Sequence, residues 1–75
     1  MRLRITDTNF TTRHDWLFAL ADENGNEFYI MNDAFYKKYS FKSPITKIEL
    51  DSYDKGQWIN ATVEKIDGKG IVIDV

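Results

Sequence analysis

Few residues in this chain have the types and spacing needed to run a reaction, and each lacks a partner. His14 stands beside Asp15, but it is the only histidine and there is no cysteine. Neither a nucleophile–base pair nor a thiolate or multi-histidine metal centre can be built from it. The acidic segment DENGNE, Asp22 to Glu27, has calcium-loop composition. Its glycine falls at the fourth position, whereas that loop turns on a glycine at the sixth. Gly68 and Gly70 sit in DGKG with no helix after them, so no backbone cradle for phosphate forms at a helix N-terminus. Ser40, Ser43 and Ser52 lack the glycines of a nucleophile elbow. The expectation is a protein that is not an enzyme, with no catalytic residues, no metal and no cofactor.

What remains is the chemistry of binding. Arg2 and Arg4 alternate with Leu3 and Ile5, which aims both guanidinium groups away from the core. The stretch FYKKYSFK, Phe35 to Lys42, interleaves aromatic and basic residues, although Phe35, Tyr39 and Phe41 fit better as a plug at one end of the core with the lysines in water. Carboxylates at Glu49, Asp51, Asp54, Glu64 and Asp67 form an acidic side. That side reads as a solvated strand face, or as a docking surface for a basic protein or an inhibitor's imitation of nucleic-acid charge.

The elements that must position these groups begin with the segment Trp16 to Met31, WLFALADENGNEFYIM. Trp16, Phe18 and Leu20 alternate on one arm and Phe28 and Ile30 on the other, around Asn24-Gly25, which predicts a hairpin with one apolar face. Its outer face would then carry Leu17, Ala19, Tyr29 and Met31. A first strand over the residues after Met1 precedes it, with TTRHD as the connecting loop. After Met31 the period turns helical: Asn32 or Asp33 can cap, Phe35 and Tyr39 lie at i and i+4, and Lys37 and Lys38 complement the helix C-terminus. Pro44 ends the connector. Ile45 to Tyr53 resumes alternation, with Ile48 and Leu50 inward. Asp54-Lys55-Gly56 turns the chain into a long strand, Trp58 to Ile66, whose broken parity between Val63 and Ile66 predicts a bulge near Glu64 or Lys65. Asp67-Gly68-Lys69-Gly70 turns it again into a last strand with Ile71, Ile73 and Val75 inward.

At 75 residues the chain holds one domain, 1–75, with 43% hydrophobic and 15% aromatic residues to build its core. Ten basic residues against twelve acidic ones give a net charge of −2, so no overall basicity argues for a polyanion partner and local patches must do so. The first ten residues alternate charge and hydrophobe, unlike a signal peptide. The longest apolar run, Trp16 to Ala21, is far shorter than the ~20 residues of a spanning helix, so no membrane role is expected. Absence of cysteine fits a cytoplasmic location.

The order of three strands, a short helix and then two or three strands, with W-x-F-x-L-x-D-x-x-G at Trp16, Phe18, Leu20, Asp22 and Gly25, resembles the oligonucleotide/oligosaccharide-binding (OB) fold. GQWINATVEKIDGKGIVIDV, Gly56 to Val75, is similar to strand pairs in RNA-binding barrels of that superfamily. A Src-homology-type small barrel shares most of these features. The resemblance implies a mostly β domain with one short helix: an OB-like barrel of five to six strands, the helix between strands three and four. It also implies a ligand surface over the second and third strands, which here would comprise Arg2, Arg4, Arg13, His14, Leu17, Tyr29 and Met31. The expected partner is single-stranded nucleic acid or a nucleic-acid-handling complex; the alternative is a protein-interaction barrel or inhibitor that uses the acidic strand face.

Overall fold

The computed structural model describes residues 1–9, 15–47 and 53–75, with the backbone alone at Thr46. The domain is mostly β with one short helix. In chain order it runs β1 (Arg2–Thr8), β2 (Trp16–Ala21), β3 (Glu27–Met31), α1 (Asp33–Lys38), a 3-10 turn (Pro44–Lys47), β4 (Trp58–Asn60), β5 (Thr62–Ile66) and β6 (Lys69–Asp74). The helix thus falls between the third and fourth strands. The six strands of the described residues join one sheet in the order β4-β1-β2-β3-β6-β5, antiparallel except for β3 with β6.

β4 and β5 are the two edges of this sheet, yet Ala61 alone separates them in the chain. Laid flat, six strands would hold their edge strands about 24 Å apart, whereas the two Cα–Cα steps from Asn60 to Thr62 reach only about 7 Å. The sheet must therefore curl until its edges meet through the backbone. No ladder between β4 and β5 closes it. The segment from Trp58 to Ile66 pairs first with β1 and then, past Ala61, with β6.

Inside the curl lie Leu3, Ile5, Phe18, Leu20, Ile30, Ile59, Ala61 and Val72, all buried. Alternation explains most of them: Phe18 pairs with Ile30 and Leu20 with Phe28 across the hairpin, as the sequence pattern requires. Asp22 holds the turn, its carboxylate accepting from the Asn24 and Asn26 backbone N–H groups and from the Asn26 side chain. These bonds keep its carboxyl below the usual carboxylate range. Gly25 supplies the left-handed residue, φ 83°.

A second cluster, Met31, Tyr36, Ile66 and Ile71, sits on the opposite face of β3 and β6 beneath α1. Asn32 caps this helix by accepting from the Phe35 N–H at 3.0 Å. Tyr36 is its fully buried residue; Phe35, Tyr39 and Phe41, expected to form the plug, only surround it. The Tyr36 hydroxyl donates to the Val72 carbonyl and accepts from the Met31 N–H. It therefore stitches β3 to β6, which share a single register pair, Tyr29 with Ile71. Burial pushes this hydroxyl's pKa up to about 12.

Three expectations need correction. Ile71 and Ile73 do not face the main core; Val72 does, because helix and sheet cover β6 on both faces. Ile66 joins the helix-side cluster, so the parity break after Val63 is a change of face; the irregularity in β5 lies at Thr62/Val63. Pro44 to Lys47 is a 3-10 turn and not the start of a strand. The expected strand positions Ile48 to Asp51 lie outside the described residues.

Replacing Tyr36 with Phe leaves the Met31 N–H and Val72 C=O without their partner in a buried site. It is expected to cost about 1–3 kcal/mol in denaturant unfolding. The raised pKa adds a pH signature. Below the ordinary tyrosine value of about 10 the stabilisation is complete, and it is lost as pH rises through the folded value near 12. That alkaline loss should be smaller in Tyr36→Phe than in the parent. A methyl group at Gly70 would lie 2.5 Å from Phe28 Cδ1 and 3.2 Å from the Glu27 carbonyl oxygen. Gly70→Ala should thus destabilise by about 1–3 kcal/mol in the same assay.

Candidate binding groove

The face of β2 and β3 that turns away from the main core carries Ala19, Ala21, Glu27, Tyr29 and Met31, as the pairings Ala19–Tyr29 and Ala21–Glu27 require. A register shift between Trp16 and Phe18 then changes the parity of β2 and pairs Trp16 with Met31. Trp16 therefore leaves the face it was expected to share with Phe18 and lies against Tyr29, ring centroids 6.0 Å apart and planes inclined at 46°. Leu17 takes the inward place and packs against the main core.

Trp16, Tyr29 and Met31 line an open groove of about 540 Å³, whose walls are Asp15, Glu27 and the β5–β6 turn with Gly68, Lys69 and Gly70. Pockets for small ligands commonly measure ~300–1,000 Å³. Met31, 3% exposed, forms the floor. Asp15 is fixed at the rim because its carbonyl accepts from the Asn32 N–H at 2.7 Å, extending the hairpin ladder past Trp16. The turn that carries Lys69 is a two-residue Asp67-Gly68 loop with both residues at positive φ, 51° and 77°. That geometry suits a tight hairpin.

Electrostatically the groove is mixed. The Tyr29 hydroxyl donates to Glu27 Oε2 at 3.2 Å. Burial first, and then the neighbouring Glu27 charge and this bond, raise the Tyr29 pKa above its ordinary value. Among the described lining residues one cation, Lys69, accompanies two carboxylates, Asp15 and Glu27.

Of the residues singled out in the sequence, Tyr29 and Met31 lie in this groove. Arg2 and Arg4 are exposed on the same sheet face two strands away, in a separate patch with Trp58. There the Arg2 guanidinium lies 5.2 Å from the Trp58 ring centroid, and Trp58 is 38% exposed. Arg13 and His14 fall outside the described residues. The sequence reading missed Trp16, Glu27 and Lys69 as groove residues. Its available signal was the run Trp16-Leu17-Phe18, three large apolar residues in succession, in which alternation alone cannot decide which two face inward.

Comparison with family models, with curated proteins and with solved structures returned no match for this chain. Among the described residues no group of three or more His, Cys, Asp or Glu side chains is placed to hold a metal ion. No helix there is long and apolar enough to cross a membrane.

Glu27→Gln keeps an acceptor for the Tyr29 hydroxyl while removing the charge. It is expected to move the Tyr29 titration back toward the ordinary tyrosine value without reaching it, since burial remains. Absorbance of ionised tyrosine followed against pH in the parent and the variant checks this.

Proposed function

We propose that this domain is a non-enzymatic, OB-like binding module for single-stranded nucleic acid, acting in the cytoplasm alone or within a nucleic-acid-handling complex. Three observations support the OB-like reading: the helix after the third strand, the parallel pairing of β3 with the last strand, and the bent Trp58–Ile66 segment that serves both sheet edges. Counting that segment as one strand gives a five-stranded, partly open barrel of the kind that binds ligands over its second and third strands.

The observation that carries the function is the pairing of Trp16 with Tyr29 in an open groove on that face, beside Lys69. Bases stack on aromatic side chains whatever their sequence, each stack contributing about 1–3 kcal/mol. Arg2 and Arg4, exposed on the same sheet face, supply positive charge for phosphates.

Fluorescence anisotropy with a labelled pentanucleotide tests the reading. Binding in low salt should weaken as salt rises, because a few phosphate contacts release counterions. Tyr29→Ala should weaken binding by about 1–3 kcal/mol. Arg4→Ala should weaken it and flatten the salt dependence. Absence of binding in low salt at high protein concentration would overturn the proposal and leave the acidic protein-interaction reading in its place.

A further inference from the structure

Asp15 and Glu27 flank the aromatic pair of the groove, where phosphates would be repelled. On the reading of the domain as a single-strand binder, these carboxylates have a different task. We infer that Glu27 reads the Watson–Crick edge of a base stacked on Trp16 and Tyr29, and that the groove selects guanine.

Arg4 pairs with Ala21, and Ala21 pairs with Glu27, so cation, small side chain and carboxylate lie in one line over three neighbouring strands. Two strand spacings, about 10 Å, separate the Arg4 and Glu27 backbones. Tyr29 stands on the next row of the same face, opposite Ala19. The Ala19 row ends on β1 in Asp7, so only the Ala21 row offers a cation. A nucleotide laid along that row meets Arg4 at its phosphate end and Glu27 at its base end.

An ionised carboxylate only accepts hydrogen bonds. Uracil and thymine present carbonyl oxygens flanking a single N–H, so a carboxylate faces repulsion there. Cytosine and adenine each offer one amino group beside a ring acceptor. Guanine alone places two donors, N1–H and the N2 amino group, side by side, which matches the two oxygens of one carboxylate. The bond from the Tyr29 hydroxyl to Glu27 Oε2 holds the carboxylate beside the stacking ring. A carboxylate oxygen has a second lone pair, so this contact does not prevent it from accepting from a base. Reading of single strands by stacking combined with contacts to the Watson–Crick edge is a general mode of recognition.

The test uses the full chain and four pentanucleotides, dT5 and the same strand with its central base replaced by guanine, adenine or cytosine, followed by anisotropy in low salt. The guanine strand should bind about 5- to 150-fold more tightly than dT5, the discrimination of one bidentate base contact. Glu27→Gln, at an exposed position, should fold as the parent, bind dT5 more tightly because the carboxylate that repels its carbonyl oxygens is gone, and lose most of the guanine preference. Equal binding of all four strands overturns the inference while leaving the single-strand reading standing. Guanine preference that survives in Glu27→Gln also overturns it, by assigning the selection elsewhere. If no strand binds and a lysine-rich peptide does, both the inference and the function it rests on fail, and the carboxylates and rings form a site for a cationic side chain.

Discussion

Among the described strands the junction between β3 and β6 is the only parallel pairing, and one register pair, Tyr29 with Ile71, defines it. Beyond that pair the backbone groups of Met31 and Val72 are joined through the Tyr36 hydroxyl. One side chain thus performs the work of a missing ladder rung, and it comes from a helix of only six residues. So short a helix has little stability of its own. Its cap at Asn32 sets its start, and burial of Tyr36 fixes it to the sheet. The helix-side cluster and the Met31 floor of the groove follow from this docking.

The same junction explains which parts of the fold were legible in the sequence. Leu3, Ile5, Phe18, Leu20 and Ile30 read correctly because their strands have one buried face, where a period of two is unambiguous. β6 is covered on both faces, and such strands show continuous apolar runs that carry no parity. Ile71-Val72-Ile73 is such a run, so alternation assigns Ile71 and Ile73 to the main-core face that Val72 occupies, although Ile71 is itself fully buried on the helix side. Tyr36 was overlooked for a related reason. A hydroxyl that bridges two backbone groups from different strands has no local signature, and the neighbouring Phe35 and Tyr39 at i and i+4 carry the stronger periodic signal.

The groove was legible only in part. Tyr29 and the outward aim of Arg2 and Arg4 follow from alternation, and both are seen. Trp16 required knowledge of the register shift that pairs it with Met31. A one-residue slip sends a side chain to the opposite face. Here that slip exchanges Trp16 for Leu17, turning a core residue into half of an aromatic pair. β2 holds both arrangements because Leu17 is apolar enough to fill the inward place Trp16 vacates.

Net charge is a poor guide to such a surface. The formal value of −2 averages over groups that the sheet keeps apart. Arg2, Arg4 and Trp58 occupy one end of β1 with β4, Asp7 lies further along β1 opposite Ala19, and Glu27 and Asp15 stand on β3 and at the rim beside β2. A partner with one kind of charge everywhere would meet repulsion on one side of this face. A ligand that is anionic where it crosses Arg4 and rich in hydrogen-bond donors where it meets Glu27 would not, and that is the polarity the proposed single strand would have to present.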